Sequence, residues 1–150
     1  MSNPPISATR LRQICNDACD SALSGASYYD HSSTQSWNSA IINAILKALI
    51  SESASSDSQT KYKFCVNSTI IQHLSDPRPS GTSDLGVQTG GREDGVSMGS
   101  DTTKKVGRRG MHSASGAYWN NEKDGMWSHK YEGGEGKGMD IVISIMWIAV

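Results

Sequence analysis

Apolar residues recur at three- and four-residue steps over two stretches near the N-terminus and at two-residue steps farther along. Leu11, Ile14, Cys15, Ala18, Cys19, Ala22 and Leu23 fall on one side of a 3.6-residue helix, with Arg10, Arg12, Asn16, Asp17 and Asp20 largely on the other. Ser7 is placed to cap this helix and Gly25 to stop it, which predicts a first helix over about 7–24. After a polar connector, Ser32 and Gln35 have the form of a capping box. Trp37, Ile41, Ala44, Ile45, Ala48 and Leu49 then make a second stripe, widened by Ile42, Leu46 and Ile50, and predict a helix over about 34–51. So broad an apolar surface implies contact on two sides, with a sheet on one and the first helix or a second subunit on the other.

Beyond the Ser-rich stretch 51–60 the period changes to two. Tyr62–Gln72 alternates as a strand, with Tyr62, Phe64, Val66, Ser68 and Ile70 on one face and Lys63, Cys65, Asn67, Thr69 and Ile71 on the other. Residues 110–119 also alternate, but their side chains are mostly small: Met111, His112, Ser113, Ala114, Ser115, Gly116, Ala117, Tyr118, Trp119. Such a strand lets another backbone come close, which suits pairing with something outside its own sheet. Asp124-Gly125 marks a turn. Met126–Glu132 is a third strand, Gly133–Gly138 a flexible hairpin loop and Met139–Val150 a fourth strand. The last strand is apolar on both faces, with Ile141, Ile143, Ile145 and Trp147 on one and Val142, Met146, Ile148 and Val150 on the other. It therefore belongs in mid-sheet, covered on both sides. Helices followed by strands predict an α+β fold with a mainly antiparallel sheet.

Residues 75–108 break every pattern. They hold few large apolar side chains and are expected to form a disordered or weakly ordered insertion. A loop of that length is thermodynamically tolerable: growing from about six to about 38 residues costs only about 1.6 kcal/mol in closure entropy.

Composition excludes more than it identifies. The chain has 150 residues, with 14 Lys+Arg against 15 Asp+Glu, so it presents no field suited to nucleic acid or anionic lipid. No apolar run reaches membrane-spanning length, and the N-terminus lacks the pattern of a signal peptide. Three cysteines without a pairing pattern fit a reducing, cytosolic setting; Cys15 and Cys19 read as helix packing rather than half of a metal site. The glycines at 133–138 fail the phosphate-loop pattern, because Tyr131 and Gly138 stand where it needs a Gly and a Ser or Thr. His31, His73, His112 and His129 are isolated, so no metal site and no cofactor is expected. Ser113 and Ser115 neighbour His112, but alternation puts them on the opposite face. No nucleophile elbow or catalytic carboxylate pair is present, and the chain is expected not to be an enzyme.

Several of these residues, taken in order, resemble the Tctex-type dynein light chains. They are Tyr28-Tyr29-Asp30-His31-Ser32 before Trp37, Tyr62-Lys63-Phe64 and Ile70-Ile71-Gln72 at the two ends of a strand, and Gly110-Met111-His112-Ser113-Ala114-Ser115 leading into Tyr118-Trp119-Asn120. Asp124-Gly125, Tyr131-Glu132 and Ile141-Val142-Ile143-Ser144 follow. The likeness covers about 7–72 and 109–150. It implies a single domain over 1–150, with two N-terminal helices on a four-stranded antiparallel sheet. It also implies a strand-exchanged homodimer without catalysis or cofactor, located in the cytoplasm on the microtubule-associated dynein complex. Such a protein binds an extended segment of the dynein intermediate chain by strand addition and links cargo proteins to the motor. Met111–Trp119 would be the exchanged, partner-binding strand, supported by Phe64, Val66, Ser68 and Ile70.

Two features depart from the family pattern. The family's short connector forces the strand across to the partner subunit, whereas the long insertion at 75–108 lets it fold back into its own sheet. His129 stands where an apolar residue is usual, and is expected either to titrate near pH 6–7 and weaken that end of the sheet or to face solvent at the edge. The alternatives are a dimerisation hub or cargo adaptor acting apart from dynein and, in another class, a small hydrolase using His112 or His129.

Overall fold

A computed structural model of the chain describes residues 2–54, 61–73 and 112–150. The element order is α1 (Ala8–Ala22), α2 (Thr34–Ser53), β1 (Tyr62–Gln72), β2 (Gly125–Tyr131) and β3 (Met139–Ala149), with short 3-10 turns at His31–Ser33 and Glu135–Lys137. The three strands form an antiparallel sheet in the order β1-β3-β2. The α+β class and the helices and strands expected over these residues are therefore present, with ends shifted by a few residues at most.

The exception is the strand expected over 110–119. Met111 lies outside the described residues, as does the insertion at 75–108. His112–Trp119 forms no strand, and among the described residues the sheet has three strands rather than four. The physical reason lies in Ser113, Ala114, Ser115, Gly116 and Ala117: their side chains bury too little apolar area to hold the segment on its own sheet without a backbone partner.

The helices cover one face of the sheet. Leu11, Ile14, Cys15, Ala18 and Cys19 turn inward from α1, and Ile41, Ile45 and Leu49, four residues apart, turn inward from α2. They meet Met139, Ile141, Ile143 and Ile145 of β3, all buried. α2 lies on β1 and α1 on β2, and the two helices touch each other; this supplies the two-sided contact expected of α2. Burial pushes the Cys15 and Cys19 thiols up to about 12, so both remain protonated packing groups.

Ser7 caps α1, its side chain accepting from the Arg10 N–H at 3.3 Å. The start of α2 differs from expectation. Ser33 is its N-cap and makes no side-chain cap bond. Asp30 does the work one turn earlier, accepting from the Ser32 N–H at 3.1 Å and from the Ser32 and Ser33 hydroxyls. Those bonds, Ser33's first, hold its carboxyl below the usual range. A carboxylate accepts from several donors at once, so it outcompetes the Ser32–Gln35 box.

The loop expected to be flexible at 133–138 is tied down. Lys137 donates from Nζ to the Leu23 carbonyl at 2.6 Å, and its own carbonyl accepts from the Tyr29 N–H at 2.9 Å. Gly138 adopts φ 70°, and a Cβ there would lie 2.6 Å from the Tyr28 ring. The left-handed backbone and the close ring together require glycine.

Candidate functional site: a free sheet edge and a helix-free face

Antiparallel alternation sends half of each strand toward the helices and half away from them. On the helix-free side the register aligns Cys65, Met146 and Met126 in one row, and Asn67, Ser144 and Ser128 in the next. Thr69, Val142 and Lys130 form a third row, and Lys63 stands opposite Ile148. Ile148 is 40% exposed, Met126, Val142 and Met146 are half-buried, and Cys65 is exposed. This face carries sulfur and aliphatic groups at its centre and hydroxyls beside them; the Ser128 and Ser144 hydroxyls pair at 3.1 Å.

β1 and β2 are the outer strands, and among the described residues neither outer edge is paired with a further strand. An unpaired strand edge presents a row of N–H and C=O groups that can accept another strand. Next to β2, the Ser115 hydroxyl contacts the Met126 sulfur at 3.6 Å. His112–Tyr118 are exposed, and Trp119 is half-buried with its Nε1 donating to Asn121 Oδ1 at 3.0 Å.

Phe64, Val66 and Ile70, expected to support the sheet and dimer, pack from β1 against the helix-side core. Ser68 shares their face; its hydroxyl is buried without a hydrogen bond among the described residues. These four therefore support the sheet from the helix side. The side chains available to a second sheet are those of the opposite face.

Asp124 is the residue whose role sequence reading missed. It is buried, and its Oδ2 accepts from the Asn120 N–H at 2.8 Å while its Oδ1 accepts from the Ala149 N–H at 2.7 Å. One carboxylate thus ties the exit of the 112–119 segment to the end of β3. Gly125 follows because a Cβ there would lie 2.3 Å from the Trp147 ring. The Trp147 indole donates to the Ser2 hydroxyl at 3.1 Å, and that hydroxyl donates to the Asp124 carbonyl at 2.9 Å. The Asp-Gly signal was visible as a turn, but its partners lie at the two ends of the chain.

His129 is neither an edge group facing solvent nor a free titrating site. It faces α1, with Nε2 2.9 Å from Asn16 Oδ1 and its ring stacked on Trp127 at 5.6 Å. Desolvation first, and then the charge of Arg12, lower its pKa from the ordinary 6.5, against an opposing pull from Glu132. The unfolded chain then binds more protons than the folded one below about pH 6.5, so stability contributed here is present at neutral pH and declines on acidification. Melting temperatures of His129→Gln and the parent, measured from pH 7 to pH 5, should diverge, with the variant showing the flatter acid limb. Parallel curves would remove His129 as the cause.

The Tctex-1 family pattern matches residues 5–148. The chain belongs to the Tctex-1 family. A dynein light chain of the Tctex type from Schizosaccharomyces pombe (strain 972) is 36% identical over 146 residues, covering 97% of each chain. The Tctex-1 match spans the insertion as well as the folded elements, and the fission-yeast relative is of nearly the same overall length. A long chain is thus shared with that relative. The Tctex-1 family is non-catalytic, which disposes of the hydrolase built on His112 or His129. No described helix is long and apolar enough to cross a membrane.

Proposed function

We propose that this chain is a light chain of cytoplasmic dynein. It works as a homodimer in which Met111–Trp119 pairs with the sheet of the partner subunit. It binds an extended segment of the dynein intermediate chain by strand addition, and so connects cargo to the microtubule motor. The observation that carries this reading is the pairing of two features: an outer strand, β2, whose edge bonds to no further strand among the described residues, and a nearby exposed segment, 112–119, whose small side chains suit main-chain recognition. The half-buried Met126, Val142 and Met146 and the exposed Ile148 support it, since a second sheet laid on that face would bury them. Family membership and the name of the fission-yeast relative point to dynein rather than to a dimerisation hub apart from the motor.

Calorimetric titration with peptides from the intermediate-chain N-terminal region tests the reading. Saturable binding at one peptide per chain is expected, with a dissociation constant below about 100 μM, or about −5.5 kcal/mol. No heat at that concentration, together with failure to co-purify with dynein heavy and intermediate chains, would defeat it.

A further inference from the structure

The backbone ladder between β1 and β3 runs one step past the strand, the His73 N–H donating to the Gly138 carbonyl at 2.9 Å. This brings three residues together that are far apart in sequence. His73 follows β1, Asp140 is the second residue of β3 and stands opposite Ile71, and Glu135 lies in the tied-down turn between β2 and β3. Their ligand atoms lie within 4.8 Å of one another. The side chains of His73 and Asp140 are only 7% and 8% exposed.

His73 Nε2 decides how the cluster is read. It is buried and makes no hydrogen bond among the described residues, although Asp140 Oδ2 is 3.0 Å away. An imidazolium donating to that carboxylate would aim its N–H along the line between the two atoms. Nε2 and Oδ2 instead stand close without such a bond, as a lone pair and a carboxylate do when they converge on a third atom. Two donors each about 2.1 Å from a metal ion lie about 3.0 Å apart at a right angle and about 3.4 Å apart at the tetrahedral angle. Among the described residues, Lys130 Nζ sits 3.6 Å from the other oxygen, Asp140 Oδ1, and 3.4 Å from Glu132. A carboxylate has about four lone-pair sites, so other bonds made by Asp140 or Glu135 do not exclude a metal.

We propose that His73, Glu135 and Asp140 bind a divalent first-row transition ion of the Zn2+ class. One imidazole with two carboxylates is a borderline donor set; it disfavours Cu(I), which prefers sulfur, and Ca2+, which takes oxygen alone. The ion clips the end of β1 to the start of β3 and to the β2–β3 turn, so its role is structural. It holds the end of β1 from which the chain departs toward residues 75–108.

The test uses the full chain without an affinity tag, stripped with chelator. The exposed thiol on the same face is removed by Cys65→Ser; Cys15 and Cys19 are buried. Zn2+ is titrated by calorimetry, and Co2+ by its visible absorption. One ion per chain is expected, with a micromolar dissociation constant and no thiolate charge-transfer band. The melting temperature should rise by about 5–10 °C at a hundredfold excess over that constant. Glu135 is exposed, so Glu135→Gln leaves the fold intact and should weaken binding at least tenfold. His73→Gln should abolish it. Absence of saturable binding below 1 mM, or affinity unchanged in Glu135→Gln, overturns the proposal.

Discussion

Proline at Ala114 and proline at Ser115 should give opposite phenotypes. Successive N–H groups along a strand point to opposite edges, and proline has no N–H to give. On the proposed function, one edge of Met111–Trp119 joins the partner subunit and the other receives the intermediate-chain segment. One substitution therefore removes a bond from the dimer ladder and the other from the peptide ladder. A proline inside a sheet removes a ladder bond and leaves its acceptor unpaired, which costs about 1–3 kcal/mol, or roughly five- to 150-fold in an association constant. Light scattering behind size exclusion should find one variant largely monomeric at micromolar concentration. The other should remain dimeric but lose peptide heat in calorimetry. Both residues are exposed, and the Ser115 hydroxyl makes only the long contact to Met126 among the described residues. The folded chain should therefore tolerate both changes, with far-ultraviolet circular dichroism unaltered. Two variants that both stay dimeric and both bind peptide would place the recognition edge elsewhere.

The second large effect is expected at Asp124. Replacing it with alanine leaves the Asn120 and Ala149 N–H groups without their acceptor beside the buried Trp147. Each bond to a charged acceptor contributes about 1.5–3 kcal/mol, and a stranded buried donor adds its desolvation cost. Asp124→Ala should thus destabilise the chain by about 3–5 kcal/mol in urea unfolding, with an unchanged denaturant slope. Asp124→Asn should do nearly as badly, since one of its two terminal atoms becomes a donor facing another donor. Ser2→Ala, which touches the same knot from outside, should cost about 1 kcal/mol. Because Asn120 is where the 112–119 segment enters the fold, the Asp124 variants should also weaken dimerisation and peptide binding at temperatures where they remain folded. A loss below 1 kcal/mol in Asp124→Ala would show that water replaces the carboxylate and that the knot is incidental.

Where a single element fixes its own periodicity, the chain was legible from its residues. The stripes of α1 and α2, the alternation of Tyr62–Gln72 and the two-faced apolar run of β3 all emerged within a few residues of their observed ends, because burial of one face dictates the period. Capping was less legible. Ser32–Gln35 satisfied the box pattern, yet Asp30 holds the turn, because a carboxylate two or three residues upstream is the stronger acceptor. Glycine-rich spacing at 133–138 suggested flexibility, whereas Lys137 and Gly138 are held by Leu23, Tyr28 and Tyr29.

Sequence by itself determined the fold class, the family and the unusual smallness of the side chains at Ser113–Ala117, since each depends on composition or order along one stretch. Only the tertiary structure decided which face of β1 meets the helices, that His129 turns to Asn16, that Asp124 joins Asn120 to Ala149, and that His73 meets Glu135 and Asp140. Those pairings link residues up to 113 positions apart. Strand register and helix docking create them, and spacing along a chain carries no record of register until the sheet has formed.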